Sequence, residues 1–301
     1  MLNILIGGTG ALASLFAARL TQAGYAVTML GTWQEGLVAL RKNGVRLVDA
    51  NGNEGQFKVH ATNDPRECMG ARYAIVLVKA WQTERAAYQV KQCLADDGLA
   101  LTLQNGLGNY ETLIQSLGLD RVALGSTTTG ATLLGPGLVR AGGEGIISIG
   151  RNQAIGPIEA ALQSAKFNVQ VVEDPQAVIW GKLVINAAIN PLTALLKVTN
   201  GELLERPSAR ALMGALANEA THVAHAENIT LPFDDPVAAV EMVARKTAAN
   251  QSSMLQDVLR GTPTEIDAIC GAIVKVAEKH QLEVPMNWMC WQLVKALIKQ
   301  G

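Results

Sequence analysis

The opening run Leu2-Asn3-Ile4-Leu5-Ile6 is almost wholly apolar and stops at a cluster of glycines, Gly7, Gly8 and Gly10. A short apolar run bounded by turn residues predicts a buried strand. From about Ala11 to Ala23 apolar residues recur at helical spacing, and Gly24 supplies a stop. Ala26 to Leu30 reads as a second strand, so the chain opens as strand, glycine turn, helix, strand, which is half of a nucleotide-binding unit. Tyr73 to Val78 and Leu99 to Leu103 predict further strands, with helices over Gln82 to Leu94 and Tyr110 to Leu117. This alternation implies a parallel sheet. From Ala123 to Gly150 the text turns to short Thr- and Gly-rich runs, among them Ile146 to Ile149. They predict edge strands with which the sheet finishes.

After about Val172 the period is helical almost throughout: Gln176 to Leu196, Pro207 to Glu227, Pro236 to Ala248, Thr264 to His280 and Pro285 to Ile298. The expected architecture is therefore α/β, an N-terminal Rossmann-type dinucleotide-binding domain over residues 1–172 followed by an all-helical C-terminal domain over 173–301. A length of 301 residues is ample for two cores. No low-complexity linker separates them, which favours close packing and a cleft as the natural place for a ligand.

Composition narrows the function classes. Lys and Arg (25) nearly balance Asp and Glu (26), so no global field draws in nucleic acid or an anionic membrane. Cys68, Cys93, Cys270 and Cys290 form no C-x-x-C pair, which argues for reduced thiols in a cytoplasmic protein and against a metal knuckle or a disulfide framework. The N-terminal apolar run is cut short by glycine, unlike a signal peptide. Leu183 to Leu196 is short for a span and holds Asn186, Asn190 and Pro191, so no membrane segment is expected. The helical domain has apolar faces compatible with a homodimer, though sequence does not separate internal faces from external ones.

Gly8-Thr9-Gly10-Ala11-Leu12-Ala13 fits G-x-G-x-x-G/A directly after a strand and at the mouth of a helix. Glycine lets the backbone turn tightly and approach a pyrophosphate, whose charge the helix amides stabilise. Where an NAD-selective fold has a carboxylate after the second strand and an NADP-selective one a basic residue, this chain has Gly31-Thr32-Trp33. Nothing there repels a 2′-phosphate and no arginine attracts one; Lys79 or Thr32 are the candidates to compensate.

Lys182, Asn186 and Asn190 recur every four residues and so share one stripe of a helix, among Leu183, Val184, Ile185, Ala187, Ala188 and Ile189. Polar groups in an apolar setting need partners, and a polar ligand is one source. A carbonyl that accepts hydride becomes an alkoxide, and an ammonium beside it supplies both charge and proton. The competing reading is a solvated lysine with two asparagines joining helices. Asn250 to Asp257 is dense in neutral hydrogen-bonding groups; Ser252 or Ser253 is either a ligand hydroxyl or a helix cap. Glu265 and Asp267 fit first-turn acids of the helix predicted from Thr264. His222 and His225 lie one turn apart without a third ligand, and no metal site is expected. His60 and His280 read as surface residues. G-x-S-x-G is absent, and no Cys/His pair suggests covalent hydrolysis.

Taken in order, Gly8 to Ala13, Val78-Lys79-Ala80-Trp81-Gln82, Gln104-Asn105-Gly106-Leu107-Gly108, Lys182-x3-Asn186-x3-Asn190-Pro191-Leu192-Thr193-Ala194, Asn200-Gly201-Glu202, and Ser252 to Asp257 followed by Thr264-Glu265-Ile266-Asp267 resemble the ketopantoate reductase family through nearly the whole chain. The resemblance implies NADPH-dependent reduction of a small 2-keto acid, 2-dehydropantoate, to (R)-pantoate in pantothenate biosynthesis. It implies NADP(H) contacts at Gly8, Thr9, Gly10, Ala11, Leu12, Ala13, Lys79, Asn105 and Glu265, with Asn105 also facing substrate. It further implies Lys182 as general acid and Asn186, Asn190, Asn200 and Ser253 as substrate-binding residues. Alternatives are a reductase of another small 2-keto acid, suggested by Gly31 in place of a basic residue, and a protein that binds NADP(H) as a sensor without turnover.

Overall fold

The computed structural model describes residues 3–49 and 51–297. Leu2 of the first predicted strand and Ile298 of the last predicted helix lie outside them. By internal packing the chain forms two compact units, one of residues up to Gln104 with Asn109–Pro175, the other of Asn105–Gly108 with residues from Gln176 onward.

The first unit carries strands β1 (Asn3–Gly7), β2 (Ala26–Leu30), β3 (Val45–Val48), β4 (Glu54–Phe57), β5 (His60–Thr62) and β6 (Ala71–Val76). It continues with β7 (Leu94–Thr102), β8 (Val122–Thr127), β9 (Ala131–Gly135), β10 (Leu138–Ala141), β11 (Ile146–Gly150) and β12 (Asn168–Val172). Its helices are α1 (Ala11–Gln22), α2 (Gln34–Asn43), α3 (Thr83–Cys93), α4 (Asn109–Leu117) and α5 (Gly156–Ser164). The main sheet runs β12-β11-β8-β7-β6-β1-β2-β5, parallel throughout except where β11 meets β8. From β5 to β8 the order is that of a doubly wound dinucleotide fold, reversing between β1 and β6, and ligands bind beyond the carboxyl ends of the strands at such a point.

Strand side chains alternate between two cores. Ile4 and Ile6 join Phe16, Leu20, Met29, Ile75 and Leu101 on the α1 side, whereas Leu5 joins Val76, Ala87, Val90 and Leu113 on the α3 and α4 side. Both faces of the sheet are covered, which is why its strands read as continuous apolar runs. A second sheet, β4-β3-β10-β9, rests on α1. It was not legible in the sequence, because β3 pairs in parallel with β10 nearly a hundred residues on, Arg46 opposite Leu138. The main sheet does not finish at Gly150 either: α5 intervenes and β12 adds beside β11.

The second unit is helical: α6 (Pro175–Leu196), α7 (Glu202–Glu205), α8 (Pro207–Ala226), α9 (Pro236–Lys246), α10 (Ser253–Leu259), α11 (Cys270–Lys279) and α12 (Pro285–Leu297). Their apolar faces share one core around Val184, Ala187, Met213, Ala217, Ile273 and Val294. At 22 residues α6 is long and apolar enough to cross a membrane by length and composition, but 67% of its most apolar window is buried inside the protein, the setting of a core helix. The helix predicted from Thr264 begins only at Cys270. The preceding carbonyl of Ala268 is taken by the Leu107 N–H at 2.9 Å, and residues 265–269 close as tight turns instead. A tertiary hydrogen bond has overridden the helical period. The four cysteines are free and buried.

Candidate functional site

In the first unit the glycine loop links β1 to α1. Gly8 has φ +132°, and a Cβ there would sit 3.3 Å from both the carbonyl carbon and oxygen of Leu77, so only glycine passes without strain. Gly10 is the N-cap of α1 and no side chain caps that end, which leaves the first-turn amides turned outward beside an open glycine whose Cβ would meet nothing within 4 Å. Ala13 is fully buried under the loop, where a small residue lets helix and strand approach. Thr9 is buried, and Ala11 and Leu12 are partly buried. Shape, backbone donors and position at the sheet's reversal point all fit a dinucleotide pyrophosphate.

Lys79 is half-buried just beyond β6, its carbonyl accepting from the Gln82 N–H at 2.8 Å. That loop is held by a network the sequence reading left unassigned. Gln104 Nε2 donates to the Val78 carbonyl at 3.0 Å and to Thr83 Oγ1 at 2.8 Å, Thr102 Oγ1 donates to Gln104 Oε1 at 3.0 Å, and Thr83 Oγ1 donates to Asn109 Oδ1 at 2.7 Å. The only hint in the sequence was Gln104 standing at the head of the Gln104-Asn105-Gly106 block.

In the second unit Lys182, Asn186 and Asn190 do line one side of α6, with Asn190 buried and the other two partly so. Burial pushes the Lys182 ammonium down from the ordinary lysine range to about 8, with Glu265 pulling in the opposite direction. Part of the side chain meets solvent, but burial of the ammonium works against its charge, unlike that of a surface lysine. Glu265 is 5% exposed and accepts from Asn105 Nδ2 at 3.1 Å. It is not a first-turn acid of a helix, and neither is Asp267, which takes the Trp291 Nε1–H at 2.7 Å and Lys295 at 3.2 Å. Asn105 comes within reach because Gly106, at φ +81°, lies so close to Ala268 that a Cβ would fall 2.7 Å from its methyl. Lys182, Glu265 and Asn105 therefore form one cluster.

Helix α6 continues through Pro191. Proline has no N–H to give the carbonyl four residues back, and the Cys270 thiol lies 4.0 Å from that orphan oxygen of Ala187. Two residues beyond Pro191, Thr193 Oγ1 shares a 2.7 Å hydrogen bond with Ser252 Oγ, which also accepts the Leu255 N–H at 3.1 Å as the cap of α10. Ser252 is thus the cap, and Ser253 is exposed in the first turn. Asn200 is 8% exposed. Its amide donates to Thr247 Oγ1 at 2.8 Å, while its Oδ1 is buried without a partner, an acceptor whose desolvation nothing in the protein offsets. Glu202 of the same block is structural, accepting the Thr199 N–H at 2.8 Å and its hydroxyl at 3.0 Å. His222 and His225 are exposed on α8. Among the described residues no group of three or more His, Cys, Asp or Glu is arranged to hold a metal ion.

Comparison with known proteins covers both units. The family model described as ketopantoate reductase PanE/ApbA matches residues 4–154, and its C-terminal companion matches 174–298. The 2-dehydropantoate 2-reductase of Halobacterium salinarum is 35% identical over the full length of both chains. That of Archaeoglobus fulgidus is 36% identical over 98% of this chain and 97% of its own. Among solved structures, a PanE/ApbA family ketopantoate reductase from Ralstonia eutropha superposes with a TM-score of 0.92 at 31% identity, covering 98% of each chain. A ternary complex of D-mandelate dehydrogenase with NADH and anilino(oxo)acetate gives the same TM-score at 26% identity and the same coverage.

Proposed function

The chain belongs to the ketopantoate reductase family, and from that premise we propose that it reduces 2-dehydropantoate to (R)-pantoate with Lys182 as the proton donor and NADPH as the reductant. The dinucleotide, when bound, supplies the hydride that goes to the keto carbon. The glycine loop from Gly8 to Ala13 holds its pyrophosphate, and Lys79 borders it beyond β6. The carbonyl oxygen of the substrate receives its proton from Lys182 Nζ, so that hydride plus proton convert C=O to CH–OH. Glu265 raises the affinity of Lys182 for that proton, and Asn105 fixes the Glu265 carboxylate. Asn186 and Asn190 bind the substrate along α6, with Asn200 and Ser253 from neighbouring segments.

The observation that carries this reading is a lysine desolvated to about 8 beside a buried carboxylate, since an ammonium poised near working pH can donate and be recharged in each turnover. The buried, free thiols support a reducing, cytoplasmic setting. The test is oxidation of NADPH by the purified protein with 2-dehydropantoate. No turnover with any 2-keto acid, despite dinucleotide binding, would turn the protein into a sensor. A second reading, reduction of another small 2-keto acid, draws on the resemblance to D-mandelate dehydrogenase. Comparing kcat/KM for 2-dehydropantoate with that for aryl and branched 2-keto acids decides between them.

A further inference from the structure

In this fold the residues that follow the second strand meet the adenosine ribose, where a carboxylate takes the 2′-hydroxyl and an arginine takes a 2′-phosphate. Here the backbone leaving β2 is pinned on both sides: the Gly8 N–H donates to the Leu30 carbonyl at 2.8 Å and the Gly31 N–H to the Thr62 carbonyl at 3.1 Å. Gly31 cannot accept a side chain, because a Cβ would lie 2.8 Å from Thr9 Cγ2 and 2.9 Å from Thr9 Oγ1. Thr9 is itself only 6% exposed, so the contact has no easy relief. Trp33 folds its ring over the first turn of α2, where a Cβ on Gly36 would fall 2.8 Å from its Cζ3. Between a glycine that must stay bare and an indole turned onto its own helix, Thr32 is the side chain left, half-buried and neutral.

Neither Arg41 nor Arg66 compensates, since each is already engaged. Arg41 donates to the Ala61 carbonyl at 2.8 Å and to Asn63 Oδ1 at 3.4 Å, and Arg66 donates to Asp64 Oδ1 at 2.9 Å and to Oδ2 at 2.6 Å. Glu35 stands exposed in the first turn of α2, where it offsets the attraction of the helix amides for an anion.

We infer that Thr32 is the side chain that meets the adenosine ribose, and that its uncharged hydroxyl lets the protein bind NADH and NADPH with affinities within about tenfold of each other. The inference rests on the proposed seating of the dinucleotide at the glycine loop. Calorimetric titration of the full chain with NADH and with NADPH, without substrate, tests it separately from turnover. The wild-type ratio of Kd values falls within about tenfold, and Thr32→Arg moves it towards NADPH by about tenfold to a hundredfold, the effect of a charge-assisted bond to phosphate. Thr32→Val weakens both dinucleotides by a similar factor and leaves the ratio in place. A wild-type preference of more than about tenfold for either dinucleotide, or a ratio that Thr32→Arg does not move in a protein with unchanged Tm, overturns the inference. If Thr32→Arg does not fold, Thr32→Lys and the wild-type ratio carry the same test. Binding of neither dinucleotide would instead overturn the glycine-loop reading on which this one stands.

Discussion

At the scale of single residues the proposed chemistry rests on the desolvated ammonium of Lys182. With protonated Lys182 as the proposed donor, kcat should be level below about pH 8 and fall about tenfold per unit above it, the direction set by its lowered pKa. A pH profile of kcat from 6 to about 10 checks this. Lys182→Ala should lower kcat by about 10²- to 10⁴-fold with less change in KM; an unaltered kcat removes Lys182 from the mechanism. The same shift bears on stability. Between about 8 and the ordinary 10.5 the folded chain holds fewer protons than the unfolded one, so charged Lys182 opposes folding below pH 8 and that opposition is relieved as pH rises. Gly8 is the other residue with a sharp expectation. Gly8→Ala adds a Cβ at φ +132° and 3.3 Å from the Leu77 carbonyl, which should weaken dinucleotide binding at least tenfold as measured by calorimetry.

At the scale of elements, the second unit depends on hydrogen bonds that tie helix ends together. Ser252 both caps α10 and bonds to Thr193 in α6. Ser252→Ala should cost about 1–2 kcal/mol, seen as a lower midpoint in urea unfolding with an unchanged slope; no change in midpoint would mean that water replaces both bonds. The sequence identified a hydroxyl at this place but left two serines as candidates for the cap, because capping is decided by which residue departs from helical backbone. Thr264 to Ile269 is the converse case. Its apolar spacing was helical, yet Asn105 and Leu107, far away in sequence, take the Glu265 carboxylate and the Ala268 carbonyl. Competition for backbone acceptors between distant segments leaves no trace in local periodicity.

At the scale of the whole molecule the free, buried cysteines predict that reducing agents leave Tm unchanged; a fall in Tm with dithiothreitol would reveal a covalent link. The alternation of apolar runs with helical stretches, the glycine loop and the spacing of Lys182, Asn186 and Asn190 were all legible in the chain, since each depends on neighbours within a few residues. Strand β1, helix α1 and strand β2 were legible for the same reason, within a residue at either end. Local pattern alone thus specified a dinucleotide-type α/β unit, a helical unit after it and the residue types available for chemistry. It took the closed fold to settle that β3 pairs with β10, that Asn105 reaches Glu265, and that Thr9 keeps Gly31 bare. Those contacts join positions tens to more than a hundred residues apart, and their energy comes from packing and hydrogen bonds that exist only once the chain has closed on itself.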